Sequence, residues 1–345
     1  MNTVKHWLKK AFNYFRHRHD VALLTSAFIL LVVALFNPTV PIKRDIYSYM
    51  LVADISQSMN VVDTTLNGKP ATRAEYMRYM MKRVVASMPC GTSVSIGLFA
   101  GVSVAAMYRP LEVCQNYDAI QDTITHLDWR TAWSGNSRIR NSMPNLARTL
   151  RSFPQSAQVV FFTDGEEAPK LHVFNTQDLT NFQGGTDWLF VGIGSDKGTP
   201  IPKLDSENQL IGYWSGESFA MQPGIAQISE ANIGVRDDNV ASAESDRYLS
   251  KLDEQYLKDL AKEINGMYVN GDSLHDILGA MKKQRPARRD TAAFELRWLL
   301  AAVAGLLFIT AYLPKHPVKA SRNAIQAWFS RRRKPQAPAA SSLES

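Results

Sequence analysis

The sequence predicts a doubly wound, Rossmann-like α/β fold: a mainly parallel sheet covered by helices on both faces, with one antiparallel edge strand and a transmembrane helix on either side. Three observations carry this. Short apolar runs alternate with amphipathic helical stretches between residues 45 and 285, the pattern of a parallel sheet buried on both faces. Two of the runs, Ser93 to Phe99 and Ser103 to Tyr108, are joined by a hairpin-length link through Gly101, which forces antiparallel pairing. Two long uncharged runs, Val21 to Phe36 and Trp298 to Leu313, flank the alternating region.

The first strand is expected in IYSYMLVADI, Ile46 to Ile55. Asn60 to Ala71, rich in Thr, Asn, Gly and Pro, reads as a loop. Thr72 with Glu75 three residues later has capping-box spacing. The helix that follows, Arg73 to Met88, places Tyr76, Met77, Met80, Val84 and Met88 on one face, a core stripe. Helices are expected around Tyr117 to Leu127, Arg138 to Phe153, Leu252 to Ile264 and from Ser273. Strands are expected at Ala157 to Thr163, Asp187 to Ile193 and Met267 to Asn270.

The chain has 345 residues, 45% hydrophobic and 21% charged, with net charge +7. A nucleic-acid footprint would place positive charge on the folded region. Here residues 1–20 carry +4 and residues 314–345 carry +6, which leaves the middle at −3. Nucleic acid is therefore excluded as the expected partner. Membrane spans are expected over 21–42 and 297–313, since about 20 apolar residues cross a bilayer. The basic tails, 1–20 and 314–345, are then cytoplasmic by the positive-inside bias. The expected localisation is a bacterial inner membrane with the domain at 45–285 in the periplasm. That compartment permits a disulfide. Cys90 precedes one strand and Cys114 follows the antiparallel strand beside it, so a Cys90–Cys114 bridge is expected.

In doubly wound sheets, ligands bind beyond the carboxyl ends of the strands. Three polar segments fall there: Asp54-Ile55-Ser56-Gln57-Ser58 after the first strand, Ser134-Gly135-Asn136-Ser137 before a helix, and Thr163-Asp164-Gly165 after a buried strand. Asp54, Ser56, Ser58, Ser137 and Asp164 make a hard-oxygen donor set suited to Mg²⁺ or Ca²⁺, and also to Mn²⁺. Zinc is disfavoured because no His or Cys joins them. Thr131 is the alternative to Ser137. Trp129 and Trp133, in the adjoining loop, are candidates for partner contact or for loop packing. Glu166 and Glu167 could add negative charge near the metal, but they read rather as a solvated loop or helix start.

The D-x-S-x-S run, the hydroxyl residue before a helix and the T-D-G after a strand resemble the metal-ion-dependent adhesion site of von Willebrand factor A domains. The segments ADISQSMN, MPCGTSVSIGLFAG, LEVCQNYD and FFTDGEEAP further resemble bacterial membrane-anchored members of the BatA/BatB type and a related group encoded with methanol dehydrogenase genes. The resemblance implies that Ser56, Ser58 and a hydroxyl residue, here Ser137, ligate a metal, and that Asp54 and Asp164 hold it largely through water. Ser137 is a departure, since threonine is usual there. The resemblance also implies partners: a protein offering an acidic side chain, other proteins of the same family, and a MoxR-type ATPase.

The function expected is therefore a metal-dependent protein-binding module. The resemblance implies a role in maturation of, or calcium insertion into, a periplasmic enzyme such as methanol dehydrogenase. The alternative is a general stress or assembly scaffold, and a metal-assisted hydrolase is less favoured. No catalytic residue is expected, because no nucleophile with a His and no general base stands beside the serines.

Overall fold

The computed structural model describes residues 19–168, 170–171, 176–182, 184–219 and 239–312. The basic tails expected at 1–20 and 314–345 lie outside them, apart from His19 and Asp20. The chain divides into two compact units, residues 1–44 with 291–345, and residues 45–290.

Among the described residues the first elements are α1 (His19–Leu35) and β1 (Thr39–Ile46). The second unit then begins with β2 (Ser48–Asp54). A 3-10 turn, Gln57–Asn60, leads into β3 (Val62–Leu66), β4 (Lys69–Thr72) and α2 (Arg73–Ala86). Next come β5 (Ser93–Ala100), β6 (Ser103–Ala106), β7 (Leu111–Glu112), α3 (Tyr117–Thr125) and α4 (Ile139–Arg151). The strands β8 (Gln158–Thr163) and β9 (Trp188–Gly192) follow. Four short strands, β10 (Thr199–Pro200), β11 (Pro202–Leu204), β12 (Leu210–Tyr213) and β13 (Leu249–Ser250), form two small antiparallel pairs. The unit closes with α5 (Glu254–Glu263), β14 (Met267–Asn270) and α6 (Leu274–Met281). The described residues end with β15 (Arg288–Glu295) and α7 (Arg297–Tyr312). The strands β1 and β15 pair, and α1 packs on α7.

The main sheet has the order β14-β9-β8-β2-β5-β6. The strands β14, β9, β8, β2 and β5 are parallel. Both β6 and β7 pair antiparallel with β5, so two antiparallel strands replace the single one expected. Strand residues alternate between two cores, as the pleat demands. Leu51, Ala53, Ile96, Leu98, Val160 and Phe162 join Met77, Met80 and Val84 of α2 on one face. Met50, Val52, Phe99, Val159 and Phe161 join Ile139 and Leu146 of α4 with Leu257 of α5 on the other. The result is a three-layer sandwich.

The capping box at α2 is formed: Thr72 Oγ1 accepts from Glu75 N, and Glu75 Oε2 accepts from Thr72 N at 2.8 Å. The stretch 60–71 is not the loop expected. Asn67 and Gly68, at φ 53° and 77°, turn it into the β3–β4 hairpin, as Asn-Gly favours. The disulfide expected from the cysteines is present, with Cys90 and Cys114 Cα atoms 5.2 Å apart.

The expected localisation is corrected. Among the described residues no helix is long and apolar enough to cross a membrane. Helix α1 has 17 residues and α7 has 16, about 25 Å at ~1.5 Å per residue, short of a hydrocarbon core of about 30 Å. The first apolar run is cut where Asn37 turns to φ 44° before Pro38. Residues 39–46 then enter a strand, so the span expected over 21–42 is part helix and part strand.

Candidate metal centre at the sheet edge

Strands β2 and β8 are neighbours in register, with Ala53 opposite Phe162. Their next residues, Asp54 and Thr163, therefore emerge side by side at the carboxyl edge. Thr163 donates its hydroxyl to Asp54 Oδ2 at 2.6 Å, and Ser56 N–H donates to Asp54 Oδ1 at 2.9 Å. Asp54 is fully buried. Burial, followed by the nearby charge of Asp164, pushes its carboxyl up to about 7, against the opposing hydrogen bonds from Ser56 and Thr163. Every contact that holds this carboxylate is neutral.

The chain turns after Asp54 and brings Ser56 and Ser58 together, with their Oγ atoms 3.1 Å apart. Two neighbouring ligands of an octahedral ion at about 2.1 Å stand roughly 3.0 Å from each other. The serine pair has this spacing. Ser137 comes from the segment before α4. Its N–H donates to Ala168 O at 3.0 Å and its carbonyl accepts from Ala168 N at 2.7 Å. On its other side, Gly101 N–H donates to Asn136 O and Arg138 N–H to Gly101 O. Ser137 is thus clamped between the end of β5 and the segment after Asp164. Its hydroxyl is buried and, among the described residues, has no hydrogen-bond partner, a need that a ligand at this edge would meet. Thr131, by contrast, is exposed and donates its hydroxyl to Asp128 O at 2.7 Å. Three hydroxyls, Ser56, Ser58 and Ser137, with the carboxylate of Asp54 bonded to Ser56 N–H, are thus the hard-oxygen groups this edge offers.

Asp164 is also fully buried, but its surroundings differ. Oδ1 accepts from Glu166 N at 3.0 Å, and Oδ2 accepts from Arg73 Nη1 at 2.8 Å. Arg73 begins α2 and has no exposed surface. It also donates from Nε and Nη2 to Asp63, from Nη1 to Ser250 Oγ at 2.7 Å and from Nη2 to Ser250 O at 3.2 Å. Burial opposes its charge, and the carboxylates of Asp164 and Asp63 outweigh that and raise its pKa. Sequence reasoning missed Arg73, Asp63 and Ser250.

Glu166 and Glu167 are not the solvated helix start expected. Both are buried. Tyr248 donates to Glu166 Oε1, and Tyr256 donates to Glu167 Oε1 at 2.5 Å. Burial, and for Glu166 the charge of Asp164, pushes each up to about 7. Trp129 donates Nε1 to Asn208 Oδ1 at 2.9 Å, while Trp133 is 48% exposed. Among the described residues, the one group of cysteine and acidic side chains with ligand atoms within 4.8 Å of one another is Cys90, Glu112 and Cys114. Its sulfurs are bonded to each other, so the thiolates a metal needs are absent.

Residues 49–167 match the family model for the von Willebrand factor type A domain. None of the curated proteins compared matches the chain. Among solved structures, the chain is similar to an aerotolerance-related membrane protein from Bacteroides fragilis at 19% identity. That match covers 69% of this chain and 98% of the other, with a TM-score of 0.45. It is also similar to the conserved hypothetical protein BatB from Bacteroides thetaiotaomicron at 17% identity, with the same coverage and a TM-score of 0.47.

Proposed function

We propose that this chain, which carries a von Willebrand factor type A domain at residues 49–167, is a binding module that recognises an acidic side chain of a protein partner through a divalent cation, Mg²⁺, Mn²⁺ or Ca²⁺, and that it is not an enzyme. The observation that carries this reading is the hydroxyl set: two serine oxygens 3.1 Å apart and a third, Ser137 Oγ, buried without a partner. Ser56, Ser58 and Ser137 would hold the ion, and Asp54 would orient the set through Ser56 N–H and Thr163. A bound ion supplies a Lewis-acidic position for an external carboxylate oxygen. Neutral ligands leave most of its charge available for that oxygen. Trp133, exposed beside this edge, gives a partner an aromatic surface. The maturation role implied by the resemblance rests on the sequence segments quoted for it, and nothing in the site's geometry adds to it.

The test uses the full chain and a displayed library of random peptides, selected in Mg²⁺. Selected peptides should contain an essential Asp or Glu, release on chelation, and lose binding when that residue becomes Asn or Gln. Peptides that stay bound in chelator, or that need no acid, would place recognition elsewhere on the domain.

A further inference from the structure

We propose that Arg73 is a positioning residue that holds Asp164 outside the cation's inner shell and thereby keeps the bound ion electrophilic. This rests on the metal reading above and adds a role for a residue that reading does not use. Both oxygens of Asp164 are already engaged, Oδ2 by Arg73 Nη1 at 2.8 Å and Oδ1 by Glu166 N at 3.0 Å. Each oxygen keeps a second lone pair, but these two bonds restrain the carboxylate against moving toward an ion, because the guanidinium is fixed on every side. Its five N–H groups are all spent on Asp63, Asp164 and Ser250. Asp63 is in turn held by Ser195 N at 3.1 Å. The backbone at Gly194, φ 121°, passes so close that a Cβ there would lie 2.6 Å from Arg73 Nε. Four separate segments, the β3–β4 hairpin, the residue after β8, residues 194–195 and Ser250 of β13, therefore pin one cation beside the second aspartate.

The consequence is a division of labour. A carboxylate in the inner shell would neutralise part of the ion's charge and occupy the place a partner's carboxylate needs. Arg73 takes up that negative charge instead. Its removal should free Asp164 to enter the inner shell, which displaces one water and binds the ion more tightly.

The experiment uses full-length protein with Mn²⁺ as probe, and reads the dissociation constant and the number of inner-sphere waters by water-proton relaxation. Arg73→Met should bind Mn²⁺ about tenfold more tightly, the scale of outer-shell effects on metal affinity, with one water fewer per ion. Arg73→Lys, which can still pair with Asp164, should restore the wild-type water count. Asp164→Asn keeps Arg73, so it tests the claim without removing the buried cation. It should leave the water count unchanged and weaken binding by no more than about tenfold. A gained water in Asp164→Asn, or an unchanged count and affinity in folded Arg73→Met, would overturn the proposal while leaving the metal site standing. Wild-type protein that binds no Mn²⁺ would overturn the metal reading, and this inference with it.

Discussion

Asp54 and Asp164 lie at the same edge of the same sheet, on adjacent strands, and neither has any exposed surface. Asp54 is held by a backbone N–H and a threonine hydroxyl. Asp164 is held by a backbone N–H and a buried arginine. Among the described residues, one carboxylate thus lacks a cation from the protein and the other has one built in. Burial without a counter-charge is costly, and at Asp54 it raises the pKa. The asymmetry separates a buried carboxylate held by neutral groups from one with a counter-charge built in, and the proposed cation would serve the first.

The largest effect expected from breaking this asymmetry is on stability. Arg73→Met leaves Asp164 and Asp63 buried without their partner and should cost about 3–5 kcal/mol. Asp54→Asn removes the uncompensated charge. Its amide can still accept from Ser56 N–H and donate to Thr163 Oγ1, so the metal-free protein should be as stable as wild type or more so. Denaturant midpoints in chelator measure both. A loss in Asp54→Asn as large as in Arg73→Met would show the two aspartates to be equivalent.

Much of this was legible in the sequence. The strand–helix alternation, the antiparallel β5–β6 pair, the capping box at Thr72 and the cysteine pairing depend on local pattern, and the structure has each of them. What stayed hidden depends on distant contacts. Arg73 looks like an ordinary helix-start residue until Asp164 and Ser250, 91 and 177 residues away, close around it. Glu166 and Glu167 look solvated until Tyr248 and Tyr256 fold over them. The β3–β4 hairpin was signalled by Asn67-Gly68 but masked by the loop-like composition around it. The apolar run at 21–42 has the length of a span in sequence, and Pro38 and the strand after it divide that length.

The disulfide provides a control at the opposite edge of the sheet. Ser93 pairs with Ser48 and Phe99 with Asp54, so the start of β5, beside Cys90, is roughly 20 Å from Asp54 at about 3.3 Å per residue. Reducing a bridge that closes a loop over a separation of 24 residues should cost about 3 kcal/mol in the chain-entropy model. Metal affinity, measured by calorimetry in Cys90→Ser, Cys114→Ser protein, should not change. A parallel loss of affinity would mean that the two edges are coupled.

Glu167 offers the smallest and most specific test, since burial also raises its carboxyl, to about 7. A carboxyl whose folded pKa lies above its unfolded value binds its proton more tightly when folded. Its contribution to stability is fully present below about pH 4.5 and is lost as pH rises to about 7. Glu167→Gln should flatten the fall in thermal midpoint between pH 5 and pH 8, with pH values chosen to bracket that window. An identical slope in the variant would assign the pH dependence to other groups.

The central claim is that the serine hydroxyls and Asp54 form a site for one divalent cation. It is tested most directly by titrating full-length protein with Mn²⁺ by calorimetry, wild type against the Ser56→Ala, Ser58→Ala double variant. The account predicts one site in the wild type and none in the variant, with both proteins folded by circular dichroism. Equal binding by the two would contradict it.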